Sequence, residues 1–547
     1  MKKRSIRIIS IILVSAILLM GCTSVNEVAQ TGVSTEENQI VQEDSTGTTS
    51  TATKVSSEVV VDTEFTARDL EVGYEETTAT KIILNGDSIA VSGEGATSAG
   101  NILTISKEGS FVVEGILKDG QIIIDADDND KIQLVLNGAS ITCLSNAPIY
   151  IKNADKVFLT LAEATENNLI DGTEYIQSDE NEADGVIYSK SDLTLNGSGT
   201  LTISGNYKHG IVSKDELVIT GGTYDINAVK DAINGKDCVK IMDGELTLNA
   251  ATGNGLQSKN SDDTTKGYVY ISGGTIDIVS SVEGIEGTAI VIEDGIININ
   301  SSDDGFNAAS PSTEATTDTT MVPTTVKDPS TDSTTTAQEP VGRKPGAAPN
   351  GDVPNGQTTD GEFPSGGMDG RGDFGGGENP FDIDENCYIS ILGGTITINA
   401  QGDGIDSNGS LYVSGGTSYV DGPTENMNAS IDYVGTGEIT GGIIIATGSA
   451  GMAQGFGETS TQCSMLYNLA SSVNSNTAVT LTNAAGKEVI RYVPSKQYQS
   501  VVISSPELIQ GETYILTCGE QITEITLSSI TTSGGQGVSM GQRGMGR

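Results

Sequence analysis

The sequence predicts an all-β solenoid, a parallel β-helix, and three observations predict it. A short unit ending in a polar residue, a small residue and an apolar one recurs as His209-Gly210-Ile211, Asp231-Ala232-Ile233, Asn254-Gly255-Leu256, Glu283-Gly284-Ile285, Asp304-Gly305-Phe306 and Asp403-Gly404-Ile405. From Gly210 to Gly305 its steps are 22, 23, 29 and 21 residues, a solenoid period and about half that of a propeller blade. The longest step contains an acidic insertion at Ser261-Asp262-Asp263. Within each unit apolar residues alternate, as in Leu217/Ile219 then Tyr224/Ile226, which is the signature of strands. Glycine turns such as Gly221-Gly222-Thr223 and Gly415-Gly416-Thr417 separate the strands and supply the positive φ of a tight corner.

Taken in order, the chain opens with Lys2, Lys3, Arg4 and Arg7, an apolar run from Ile8 to Met20, and Gly21-Cys22. This pattern reads as a lipoprotein signal over residues 1–21, with acylation of Cys22, and so predicts a lipid-anchored protein on the extracellular face of the cell membrane. Residues 22–75 are rich in Ser, Thr, Glu and Gln and predict a disordered tether. Residues 76–310 are expected to form the first part of the β-helix, whose opening coils from Lys81 to Gly199 lack the regular motif and include an end cap against edge pairing. Asp184-Gly185-Val186 is the first unit expected to carry the acidic position. Residues 311–386, first Thr-rich and then Pro/Gly-rich, predict a disordered insertion. The helix resumes over 387–456, a small β cap occupies 457–532, and 533–547 form a disordered tail.

The formal net charge is −44, which excludes a nucleic-acid partner. Six cysteines lie far apart, without CxxC spacing and with one His in the chain; they predict buried apolar fillers, not a zinc site or a disulfide framework.

Chemistry concentrates at the recurring polar position and three residues beyond it. Glu283 and Glu286, Asp303, Asp304 and Asn307, and Asp403 and Asp406 repeat that spacing, while Asp231 with Asn234, and Asn254 with Gln257, keep it with fewer charges. Two carboxylates about 5 Å apart on neighbouring coils repel by roughly 3 kcal/mol at an effective dielectric of 20. Calcium, which takes six to eight oxygen ligands, would turn this column into a site; a solvated polar corner is the other reading. For a lyase, Lys208 and Lys230 are the basic residues beside the column, because no arginine lies between Arg68 and Arg343. For neutral glucans, Tyr268, Tyr270, Tyr388, Tyr412 and Tyr419 could stack on sugar rings, since Trp is absent.

The segments Ala147-Pro148-Ile149-Tyr150-Ile151, Ser198-Gly199-Thr200-Leu201-Thr202-Ile203, Glu283-Gly284-Ile285-Glu286-Gly287, Ser301-Ser302-Asp303-Asp304-Gly305, Asp403-Gly404-Ile405-Asp406-Ser407-Asn408-Gly409 and Gly451-Met452-Ala453-Gln454 together resemble a family of clostridial carbohydrate-binding surface lipoproteins. The resemblance implies a right-handed, pectate-lyase-like parallel β-helix, calcium in the acidic column, and binding of cellulose-like or polygalacturonate-like polysaccharide. It carries the metal to Asp231, Glu283, Glu286, Asp303, Asp304, Asp403 and Asp406, with Asn307 beside them. His209 and Asn254 depart from the aspartate usual in the family. Three functions follow from the whole reading: a calcium-containing polysaccharide-binding protein, a calcium-dependent polysaccharide lyase, or a structural or adhesive surface protein.

Overall fold

A computed structural model of the chain describes residues 59–176, 183–311 and 383–537. The chain divides into residues 1–55 and 56–547, and the first unit, with the signal segment and Cys22, lies outside the described residues, as do residues 312–382 of the expected insertion and residues 538–547. Among the described residues there is no α-helix; strands assemble into sheets of 25, 12 and 4 strands.

One repeat consists of three strands. His209–Ser213, Glu216–Ile219 and Thr223–Ala228 are followed by Ile233–Gly235, Cys238–Ile241 and Glu245–Ala250. Each strand pairs in parallel with its equivalent one repeat on, residue against residue: Ile211 with Ile233, Leu217 with Val239, Tyr224 with Leu246. The alternation seen in the sequence is therefore the alternation of buried and outward side chains. Ile211, Ile233, Leu256, Ile285, Phe306 and Ile405 form one buried column, each fully burying a side chain worth about 1.5–3 kcal/mol. At the turns, Gly416 has φ +72°, and a Cβ there would stand 2.4 Å from the Gly393 carbonyl oxygen, so the corner accepts only glycine.

Register continues across the insertion. Phe306–Ala308 pairs with Ile405–Ser407, and Ala289–Ile292 with Tyr388–Ile391. At the amino-terminal end Thr80–Gly86 pairs antiparallel with Ile89–Ser92 and parallel with Gly109–Leu117. At the other end Ile443–Gly448 turns to antiparallel pairing with Tyr498–Ser504, above a second apolar cluster that includes Leu481, Tyr514 and Leu516. Thr531–Gly535 pairs with Ser464–Val473, so ordered pairing reaches past residue 533, where a tail was expected to start.

The expected tether also ends earlier than its composition suggests. Residues 59–75 lie across the outer surface of the strands instead of extending free. Val59, Val61 and Phe65 pack on Tyr268, Tyr270 and Val291, and the Asp62 carboxylate pairs with the buried Lys240 ammonium at 2.9 Å. Asp69 is buried, pairs with Lys156 at 3.0 Å and accepts from the Thr194 hydroxyl at 2.6 Å. The final third of the segment holds enough apolar surface to offset its ordering, which an average over residues 22–75 conceals. The described cysteines, Cys143, Cys238, Cys387, Cys463 and Cys518, are free thiols and buried.

Candidate metal centre

Two columns run along the twelve-stranded sheet. The register aligns His209, at the start of its strand, with Asp231, Asn254, Glu283, Asp304 and Asp403 just before theirs, and Val212, Asn234, Gln257, Glu286, Asn307, Asp406 and Asp432 within the strands. Asp184 does not join the first column, because Gly185 is the residue opposite His209. Its carboxylate instead lies 3.9 Å from the His209 Nε2.

The first column has a backbone task. The Asp231 N–H donates to His209 Nδ1 at 3.2 Å, the Asn254 N–H to Asp231 Oδ1 at 3.0 Å, the Glu283 N–H to Asn254 Oδ1 at 3.2 Å, and the Asp403 N–H to Asp304 Oδ1 at 2.6 Å. The Ala429 N–H closes the series on Asp403. At five of the six positions the side chain accepts the N–H of the next repeat, which His, Asn and Asp all can do; Glu283 instead accepts from the Asn307 amide. This accounts for His209 and Asn254, which a purely metal-binding column would not.

The two ends of the columns then differ in charge. Asp231 is well engaged: Oδ1 accepts the Asn254 N–H and Oδ2 accepts the Asn234 amide at 2.7 Å, with the His209 ring beside them. Burial raises its pKa, but those partners win and hold the carboxyl below its usual value. Glu286 accepts from Asn254 and Gln257 and pairs with Lys259. Asp231 and Glu286, both expected as metal ligands, thus have protein partners for their oxygens.

Further along, Asp403, Asp406 and Asp432 bring ligand oxygens within 4.8 Å of one another. On the adjoining strand Asn307 Oδ1, and one strand farther Glu283 Oε2, are buried without a hydrogen-bond partner, although the Asn307 amide does donate to Glu283 Oε1 at 2.9 Å. Burial, then the charges of Asp304, Asp403 and Asp432, push the Asp406 carboxyl up to about 8. Burial and the Glu286 charge push Glu283 up to about 8. Asp304 rises to about 7 and Asp403 to about 6, by burial and neighbouring carboxylates against the opposing pull of one backbone N–H each. The three converging carboxylates of Asp403, Asp406 and Asp432, mutually repelling and flanked by an unpartnered amide oxygen, are the kind of donor set that a hard divalent cation takes. These residues fit calcium. Asp303 is exposed beside them, and a Cβ on Gly402 would lie 2.4 Å from the Asp303 and Asp304 oxygens, so the chain needs glycine where it passes those carboxylates.

Asp432 was missed in the sequence because Ala429-Ser430-Ile431-Asp432 has alanine in place of the polar residue. Keeping only the spacing of the apolar residue and the following acid would have found it. Lys208 and Lys230 precede the first column three or more strands from Asp304, about 14 Å or further at ordinary strand spacing. Of the tyrosines, Tyr268 and Tyr270 are buried under Val59 and Phe65, Tyr388 packs on the same cluster, and Tyr419 stacks on Tyr492 at 5.1 Å; Tyr412 is the one of the five that is exposed.

With this geometry in hand, comparison with known proteins gives a family. A family model described as carbohydrate-binding domain-containing protein matches residues 99–341. A carbohydrate-binding domain-containing protein of Acetivibrio thermocellus is 34% identical over 209 residues, 38% of this chain and 73% of the relative. The chain belongs to the carbohydrate-binding domain family. A solved structure of a polysaccharide lyase-like protein from C. thermocellum, a gadolinium derivative, is 32% identical and aligns over 42% of this chain and 90% of its own with a TM-score of 0.35. The matched segment of the family model includes the first column from His209 to Asp304 and stops before Asp403, Asp406 and Asp432.

Proposed function

We propose that this chain is a right-handed, pectate-lyase-like parallel β-helix, lipid-anchored through Cys22 on the extracellular face of the membrane, that binds cell-wall polysaccharide and carries calcium in its acidic column. The observation that carries the calcium is the convergence of the Asp403, Asp406 and Asp432 carboxylates, with the buried, unpartnered Asn307 Oδ1 on the adjoining strand. Asp403, Asp406 and Asp432 would hold the ion, with Asn307 on the adjoining strand, while Asp304 and Glu283 add negative charge farther along the column. Bound there, calcium neutralises carboxylates that otherwise repel across neighbouring strands. Family membership and the net charge of −44 shape the rest: an acidic glycan is repelled by so negative a protein until divalent ions lower the field.

The test is retention of the full chain on insoluble cellulose and on calcium-free pectate gel, with and without EGTA, while ultraviolet absorbance of the supernatant is followed. Retention that weakens on chelation, with flat absorbance, is the expected result. Rising absorbance from unsaturated product would make the protein a lyase, and no retention on either material would leave a structural or adhesive role.

A further inference from the structure

Far from the metal centre, at the amino-terminal end of the strand stack, three stretches of chain enclose a cavity of about 600 Å³. Its walls are residues 76–81, where the crossing segment ends, residues 92–95, and residues 107–111. From Ile102–Ile105 to Ile405–Ser407 the twelve-stranded sheet advances by nine strands, about 43 Å at ordinary strand spacing. The cavity and the acidic carboxylates are therefore separate places.

Hydrogen bonds fix its shape. The Thr80 hydroxyl donates to the Glu94 carbonyl at 2.6 Å and ties the first wall to the second. The Glu108 N–H donates to the Asp130 carboxylate at 3.2 Å, and the Ser110 hydroxyl to Gln133 at 3.0 Å, which ties the third wall to the next strand. Gly95 has φ +82°, and a Cβ there would stand 3.1 Å from the buried Phe111 ring, so glycine lets the second wall lie close against that ring.

The lining carries both signs of charge. Glu76, Glu94 and Glu108 share it with Lys81 and Lys107. Among the described residues none of these five side chains has an ion pair or a hydrogen bond, although acids and lysines of one hollow could satisfy one another. Acceptors and donors are thus presented side by side and left to a ligand. An anion meets three carboxylates against two ammoniums, in a chain of net charge −44, and a cation meets the two lysines. A neutral polyol meets neither penalty, because each hydroxyl donates to a carboxylate and accepts from an ammonium. The volume lies inside the range of about 300–1,000 Å³ usual for sites that hold small molecules, which suits a few sugar rings.

We infer that this cavity binds a short stretch of neutral glycan, with Glu94 and Glu108 accepting from sugar hydroxyls and Lys81 and Lys107 donating to them. This rests on the polysaccharide-binding function proposed above and divides it: neutral glycan is held at the amino-terminal end, away from the metal centre.

The test measures binding of soluble cello-oligosaccharides and of polygalacturonate fragments to the full chain by titration calorimetry in calcium. The cavity variant, Lys81→Ala/Glu94→Ala/Lys107→Ala/Glu108→Ala, removes two charges of each sign from exposed positions and keeps the net charge. The control, Lys487→Ala/Glu488→Ala/Arg491→Ala/Glu507→Ala, does the same elsewhere. Affinity for cello-oligosaccharides is expected to fall roughly ten-fold or more in the cavity variant, through loss of charge-assisted hydrogen bonds, and to hold in the control. Lys107→Ala/Glu108→Ala should show a smaller fall in the same direction. Polygalacturonate affinity and the thermal shift produced by calcium should match the wild type in every form, and the shift reports folding. Equal cello-oligosaccharide affinity in cavity variant and control would overturn the site while leaving polysaccharide binding in place. Equal loss of both glycans in a folded cavity variant would overturn its assignment to neutral glycan. A wild-type chain that binds neither glycan would overturn both readings.

Discussion

Asn254 shows how one side chain serves backbone and charge together. Its carbonyl accepts the Glu283 N–H and its amide donates to Glu286, so Asn254→Leu strands a buried donor and a buried acceptor. Loss of about 1–3 kcal/mol is expected, read as a lower denaturant midpoint at unchanged slope. Asp406 works in the opposite sense. In the absence of metal its carboxylate repels Asp304, Asp403 and Asp432, so Asp406→Asn should raise the melting temperature in EGTA. The same change removes a ligand: if calcium binds ten-fold more weakly, its stabilisation at saturating concentration shrinks by about 1.4 kcal/mol. A variant that melts lower in EGTA and shifts as far with calcium as the wild type would place the ion elsewhere. At this scale the sequence was half legible. The spacing revealed Glu283, Asp304, Asp403 and Asp406 because the repeat marks the position. It did not reveal that Asp231 and Glu286 already have partners, since the Asn254 N–H on Asp231, and Asn254, Gln257 and Lys259 around Glu286, come from neighbouring strands.

The strand repeat was readable because each strand buries every second residue, and alternation survives in the sequence wherever that is true. The crossing segment at residues 59–75 has no such period, as it runs over many strands and forms no strand of its own. Its anchor is Asp69. Burial raises the pKa of this carboxyl, but hydrogen bonds from Thr194 and Thr66 and the Lys156 ammonium lower it overall. A depressed folded pKa contributes stability that is present above the unfolded value near 4 and lost as the pH falls below it. Asp69→Ala leaves the half-buried Lys156 without its partner and should cost up to about 3 kcal/mol at pH 7, with a smaller deficit near pH 3. Equal destabilisation at both pH values would show that packing, and not the ion pair, holds the segment down. Asp432 was lost for a related reason: its repeat keeps the strand but not the polar residue that announces it.

At the scale of the whole molecule, charge sets the pH response. Glu283, Asp304, Asp403 and Asp406 have raised folded pKa values, the highest about 8, among Glu286, Asp303 and Asp432, with Lys259 as the nearest cation. A raised folded pKa gives stability that is complete below the unfolded value near 4 and is lost as pH climbs through the folded values. Chelated protein should therefore lose stability between pH 5 and 8. Calcium, which binds the ionised groups, should stabilise increasingly over that same interval. Parallel melting curves with EGTA or calcium at each pH check both slopes.

The central claim joins the acidic column to glycan binding, and thermodynamics makes that join reciprocal. Calcium affinity of the full chain, measured by titration calorimetry with and without soluble polygalacturonate fragments after correction for calcium bound by the fragments themselves, tests it most directly. The account predicts that calcium binds the protein alone, that the fragments tighten it, and that calcium tightens the fragments by the same factor. Calcium binding unaffected by saturating fragments, or no calcium binding, would contradict it.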